Sequence, residues 1–189
     1  MSDLVIRDVV PDDIGAITAI YREAVLHGTA SFELDPPEQS DMLLRMRNIV
    51  DAGYPYIVGT REDGELLGYA YASSYRTRPA YRWSCENSVY VDEAARGLGV
   101  GKKLMQIIIA RCNELGFRQM VSVIGGADHL ASIKLHETLG FENAGKLPAT
   151  GFKHGKWLDS VLMQLPLGEG AQSDPDPDVY PGTLYKPSN

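Results

Sequence analysis

Cysteine is scarce in this 189-residue chain, and long apolar runs are missing. The two cysteines, Cys85 and Cys112, form no CxxC pair. A disulfide-stapled secreted scaffold is excluded, and two free thiols fit a reducing cytoplasm. No run reaches the roughly 20 apolar residues that span a bilayer, so no membrane partner is expected. The opening MSDLVIRDVV lacks the plan of a secretory signal, which again points to a cytoplasmic protein. There are only four histidines, His27, His129, His136 and His154, without metal-ligand spacing, so no metal is expected. Basic residues are outnumbered 25 to 18, a formal charge of −7, which argues against nucleic acid as a partner. No internal repeat is visible.

The residues present describe a globular domain. Hydrophobic residues make up 44% of a chain long enough for one full core. Residues 4 to 10, LVIRDVV, read as a strand. PDDIGAITAIYREAVLHG reads as a helix that Asp12 or Asp13 can cap, with Ile14, Ile17, Ile20, Tyr21 and Ala24 on one face and Gly28 as its stop. SDMLLRMRNIVDAGYP reads as a second helix, capped by Ser40 and ended by Gly53. A hairpin follows around Asp63 and Gly64, then the strand CENSVYVDE, the helix GKKLMQIIIARCNELGF, the strand RQMVSVIG, the helix LASIKLHETLGF and the strand KWLDSVLMQLP. Hairpins and crossover helices together predict an α+β domain over residues 1–167, with a mixed, mostly antiparallel sheet. Residues 168–189 are rich in Pro, Gly, Asp and Ser and read as a tail, mostly disordered, without a core of its own.

The most informative stretch is RGLGVG, Arg96 to Gly101, between a strand and an apolar helix. A glycine-rich entry to a helix exposes backbone N–H groups at the positive end of the helix dipole, which makes an anion site. The nucleotide P-loop pattern fails here, because Arg96 stands where its first glycine belongs and Lys103 where its Ser or Thr belongs. The dinucleotide fingerprint also fails, because Lys102 stands where its third glycine belongs. A tight turn that only packs helix on sheet is the plainer alternative.

In its setting, RGLGVG resembles the Arg/Gln-x-x-Gly-x-Gly/Ala signature of the GNAT N-acetyltransferases. The likeness runs over about residues 4 to 166. Within that superfamily, YREAVLHGTASFE, AYRWSCENSVYV, VIGGADHLASIKLHETLGF and GFKHGKWLDSVLMQ look like the phosphinothricin and methionine sulfoximine acetyltransferases. The resemblance implies the GNAT fold and acetyl-CoA as cofactor. Backbone amides of Arg96, Gly97, Leu98, Gly99, Val100 and Gly101 would bind its diphosphate. Val89, Tyr90 and Val91 would pair with the pantetheine arm as an added strand. His129, where relatives usually carry Asn, and Ser132 would lie beside the cofactor, although Ser132 equally suits a helix cap.

Acetyl transfer to nitrogen needs a neutral amine, a polarised carbonyl and an acceptable leaving group. The resemblance makes Glu86 the base and His136 the acid that protonates the thiolate; a strand-end carboxylate paired with Arg78 or Arg82, and a packed helix histidine, are the plain alternatives. YRTRPAYR gathers Arg76, Arg78 and Arg82 in an acidic protein, which suits an acceptor bearing a carboxylate, or else a solvated hairpin face. By resemblance, Phe32, Glu33, Tyr75, Arg76, Thr77 and Arg78 belong to the acceptor site, with Tyr81 and Trp83 nearby. Cys85 and Asn87, which flank the base, are placed in the acceptor site as well, at positions where the subfamily carries other residues. The implied activity is N-acetylation of a small amino acid such as phosphinothricin, methionine sulfoximine or methionine sulfone, a detoxification, carried out by a homodimer. Acetylation of protein N-termini or lysines, or a non-catalytic acetyl-CoA-binding module, are the competing readings.

Overall fold

In a computed structural model of the chain, residues 4–127 and 129–179 are described. The elements run β1 (Val5–Asp8), α1 (Ile14–His27), α2 (Gln39–Asp51), β2 (Tyr56–Thr60), β3 (Leu66–Ser74), β4 (Ser84–Val91), α3 (Val100–Glu114), β5 (Gln119–Gly125), α4 (Leu130–Thr138), β6 (Glu142–Lys153) and β7 (Lys156–Pro166). They form a seven-stranded sheet in the order β1-β2-β3-β4-β5-β7-β6. Among these pairs only β4 and β5 run parallel, so the mixed, mostly antiparallel α+β expectation holds.

The sheet has an apolar layer on each face. On one, α3 buries Leu104, Met105, Ile108 and Cys112 against Ile57, Ala70, Ala72, Cys85, Met120 and Ile124. Each large aliphatic side chain buried there contributes about 1.5–3 kcal/mol. On the other, Ile14, Ile17, Ile20, Tyr21 and Val25 of α1 pack with Met42 and Met46 of α2 on Tyr56, Val58 and Tyr69. Strand alternation sends Cys85, Val89 and Val91 towards the α3 layer and Tyr90 towards α1.

Four local expectations change. α2 starts at Gln39 with Glu38 as its boundary residue, so Ser40 lies inside the first turn and is not the cap. Asp13 does not cap α1: its carboxylate accepts from Val10 N–H at 2.8 Å and forms a forked pair with Arg7 at 2.7 and 2.8 Å. Burial works against that carboxylate, yet Arg7 and the Val10 amide outweigh it and hold Asp13 below the usual carboxylate range. β6 was not foreseen at all. It lies at the sheet edge, its side chains are mostly exposed, and its register slips at Asn143/Gly145 and Leu147/Gly151, so no alternating pattern survives in sequence. Finally, residues 168–179 lie on the domain rather than apart from it. Arg118 donates to the carbonyls of Gly170 and Ser173 at 2.8 and 2.9 Å, and Val179 lies against Gly116. The rest of the expected tail, 180–189, lies outside the described residues.

Candidate active site

The site begins where two strands part. β4 and β5 pair only at Ser84–Gln119, Cys85–Met120 and Glu86–Val121. Beyond Glu86, β4 stays on β3 as far as Val91, while β5 pairs along β7 to Gly125. The wedge between them is a cavity of about 320 Å³, walled by residues 86–90 of β4, residues 122–125 of β5, His129, Ser132 and His136 of the α4 region, and Ala30, Ser31 and Phe32. The edge of β4 from Asn87 to Val91 that faces away from β3 therefore has no strand on it, so an extended amide-bearing chain can add there.

The glycine loop stands at the entry to α3. Gly97 and Gly99 have φ of 81° and 80°, left-handed backbone that suits glycine, and a Cβ on either would meet no atom within 4 Å. The loop's outer face is thus bare main chain. Arg96 N–H and Leu98 N–H are turned back to Glu93 and Ala95 carbonyls at 3.3 and 3.4 Å, which leaves Gly97, Gly99 and the first turn of α3 as donors for an anion. Gly101 has a different job: a Cβ there would lie 3.3 Å from Val91 and 3.5 Å from Leu135, so its absence lets α3 sit close to β4 and α4. Val100 is buried in the core, whereas the Leu98 side chain is exposed. Arg96 is exposed beside Glu93 at 3.9 Å.

Glu86 lines the wedge at the last paired position. Burial raises its proton affinity, and the positive charge of Arg76 offsets part of that rise. The Arg76 guanidinium itself lies over two rings, 5.2 Å from Tyr75 and 5.7 Å from Tyr81, which pack edge to face with each other. The expected arginine cluster is thus linked to the base through Arg76, although Tyr75, Arg76, Thr77 and Arg78 do not line the cavity. Nor does Glu33, whose carboxylate is bound by Arg45 at 2.6 Å. Trp83 carries Arg82 over its ring at 5.0 Å and lies off the cavity wall.

Cys85 corrects an expectation. Its thiol is fully buried in the α3 layer, where it donates to the Gln119 carbonyl at 3.6 Å, and it cannot touch an acceptor. Asn87 does reach the cavity, but from the α3 side, bonded to His136 and Met105.

His136 is 1% exposed. Its Nδ1 faces the Ser132 carbonyl at 2.8 Å, and a carbonyl only accepts, so Nδ1 carries the proton. Burial pushes the imidazolium form down further than that carbonyl restores it, and neighbouring His129 adds to the fall. The neutral ring therefore presents a lone pair at Nε2, which receives Asn87 Nδ2 and Ser122 Oγ, each at 3.0 Å. A proton donor to the thiolate was expected here. The resting ring has none at Nε2 and instead orients Asn87 and Ser122. Ser122, like Lys153 and Arg45, was not foreseen: a serine within MVSVIG carries no sequence signal, and only the fold brings it to His136.

The comparisons agree with this geometry. The profile of the Acetyltransferase (GNAT) family matches residues 17–141. This chain belongs to the GNAT acetyltransferase family. It is 49% identical to a phosphinothricin N-acetyltransferase from Alcaligenes faecalis over 91% of this chain and 85% of that one. It is 39% identical to an L-methionine sulfoximine/L-methionine sulfone acetyltransferase from Pseudomonas aeruginosa over 86% and 94%. A crystal structure of a GNAT superfamily phosphinothricin acetyltransferase from Sinorhizobium meliloti, in complex with acetyl-CoA, superposes with a TM-score of 0.94 at 51% identity, covering 99% of this chain and all of that one. The GNAT fold and an acetyl-CoA-dependent acetyltransferase activity are thereby established for this chain. The residues fit the coenzyme: an unpaired strand edge for its amides and bare loop N–H groups for its diphosphate. Among the described residues, no cluster of ligating side chains could hold a metal ion, and no helix is long and apolar enough to cross a membrane.

Proposed function

We propose that this enzyme acetylates the α-amine of a small amino acid with a polar, tetrahedral side-chain head, of the phosphinothricin, methionine sulfoximine or methionine sulfone type. The names of its relatives support that class. The single observation that carries the mechanism is the placement of Glu86, a half-buried carboxylate of raised proton affinity at the apex of the wedge. An α-amine with a pKa near about 8 arrives mostly as an ammonium without a lone pair. Glu86 takes that proton, directly or through one water, and frees the nitrogen to attack the thioester carbonyl. The C–S bond then breaks, the nitrogen gives up its second proton as the amide forms, and coenzyme A leaves as the thiol with that proton.

Acetyl-CoA supplies an acyl carbon already bonded to a thiol leaving group. The main chain of Val89, Tyr90 and Val91 orients the coenzyme arm, and an N–H of this edge polarises the acyl oxygen. Gly97, Gly99 and the first turn of α3 hold the diphosphate, with His129 and Ser132 alongside. On the acceptor side, Phe32 walls the cavity, and the loop of Tyr75, Arg76, Thr77 and Arg78 brings positive charge for the acceptor's carboxylate. Capping the amine removes the ammonium by which such a compound is recognised, which is the detoxifying step. A homodimer, expected from the family resemblance, belongs to the same proposal and is read by light scattering.

The test is an acceptor screen with acetyl-CoA and a thiol reporter, comparing phosphinothricin, methionine sulfoximine, methionine sulfone, plain amino acids and a basic peptide. Turnover of the first three above plain amino acids is expected. Acetylation of the peptide alone overturns the substrate class.

A further inference from the structure

We propose that Gly151 and Lys153 of β6 are positioning residues that set the acceptor end of the cleft by seating Phe32 and tethering Ser31. The wall in question, Ala30 to Phe32, belongs to the connection between α1 and α2, and nothing in that connection is regular structure. What fixes it comes from the far end of the chain. A Cβ on Gly151 would stand 2.7 Å from Phe32 Cε2, and one on Gly125 would stand 2.7 Å from Phe32 Cε1. The two edges of the ring thus rest on two glycines, one in β5 and one in β6, with β7 between those strands. The neighbouring backbone is tied down as well. Lys153, almost fully buried, donates from Nζ to the Ser31 carbonyl at 2.7 Å, and His154 Nε2 lies 3.2 Å from the Gly28 carbonyl.

The two glycine seats differ in what they would tolerate. At Gly125 a Cβ would also fall 2.2 Å from the Thr29 carbonyl, a backbone atom that cannot step aside. At Gly151 the nearest atoms all belong to the Phe32 ring, which can move, and it already borders the cavity. The backbone at Gly151 does not have the positive φ that would resist a side chain. An alanine there leaves the fold intact only if the ring turns or shifts from its seat, and because the ring borders the cavity, that shift alters the wall an acceptor meets. The seat thereby decides how large an acceptor head the cleft admits.

This inference rests on the reading of residues 30–32 as an acceptor wall. Its test is a double-mutant cycle of Gly151→Ala and Phe32→Ala, run with whichever amine turns over fastest in the acceptor screen. Gly151→Ala in the wild-type background is expected to raise the acceptor KM about tenfold, the scale of overpacking by one methyl group. In the Phe32→Ala background it should change KM less than about twofold, because no ring remains to be displaced. The Kd of coenzyme A, from calorimetric titration, should stay constant in all four proteins. Lys153→Met, a second and independent variant, should also raise the acceptor KM and spare the coenzyme Kd. Equal penalties in both backgrounds, no penalty in either, or a coenzyme Kd that moves with the acceptor KM, overturn the proposal. A screen in which only the peptide reacts refutes the substrate class alone, since the cycle run with that peptide still tests the seat.

Discussion

The two halves of the cleft are built in different ways. On the proposed reading, the coenzyme half comes from one nearly continuous stretch, Glu86 to His136, and would work mainly through main chain: the free edge of β4, the loop at Gly97 and Gly99, and the start of α3. The proposed acceptor half is gathered from residues 28–33, from the Tyr75–Tyr81 loop and from the end of β6, and would work through side chains such as Phe32, Arg76 and Lys153. Backbone recognition suits a ligand that does not vary. Side chains drawn from distant segments can change without disturbing the strand edge or the glycine loop, which suits an acceptor that does vary. Glu86 sits on the boundary, at the last residue pair before the strands separate.

This division is open to attack at several points. The largest effect is expected from Glu86→Gln, which should lower kcat by about 10²-fold or more at neutral pH while the coenzyme Kd stays unchanged. The same variant should be more stable than wild type at neutral pH. A carboxyl whose proton affinity is raised on folding stabilises the fold while protonated, and that contribution is lost as pH rises through its folded-state pKa. Thermal melts of the two proteins should therefore converge in acid, below the usual carboxylate range, and separate as pH rises.

Gly99→Val strikes the other half. A branched side chain at φ of 80° is strained, and its methyl groups cover the bare loop. The Kd of coenzyme A should weaken by about tenfold or more, as expected from about 1–2 kcal/mol of such strain, with acceptor KM at saturating coenzyme little changed. His136→Phe leaves Asn87 and Ser122 without their shared partner and should cost about 2–3 kcal/mol of stability in denaturant unfolding. Were His136 the resting proton donor instead, wild-type turnover would fall as pH rose through the imidazole's range, whereas a positioning ring predicts no such descending limb. The smallest effect belongs to Arg45→Met, which breaks the partly exposed pair with Glu33 and should raise the acceptor KM only by a few-fold, in keeping with about 0.2–1 kcal/mol for such pairs.

The unequal construction also explains what could be read from the sequence. The elements assigned to the coenzyme half were legible because their signals are local: RGLGVG opens an apolar helix, SVYV precedes it, and Glu86 lies just ahead of that strand segment. The core helices were legible from periodicity, down to Ile14, Ile17, Ile20 and Tyr21 on the buried face of α1. The acceptor half was legible only in part. Phe32, expected at the acceptor site, lines the cavity, but its seat left no sequence signal, because β6 carries Gly145, Pro148 and Gly151 and reads as loop. Cys85 was misjudged by its neighbour: it adjoins Glu86 in sequence, but strand alternation turns it into the core. The state of His136 was hidden because it depends on the Ser132 carbonyl one helical turn earlier and on Asn87 and Ser122 from two other strands.

The central claim is that Glu86 joins the two halves as the base. The most direct measurement is the pH profile of kcat/KM for the acceptor in wild type and Glu86→Gln. Wild type accepts the ammonium, so its profile should rise through a carboxyl above its ordinary range. The variant should lose that limb and rise only through the amine near about 8, because without the base only amine that is already neutral can react. A carboxyl limb that survives the substitution unchanged would contradict the account.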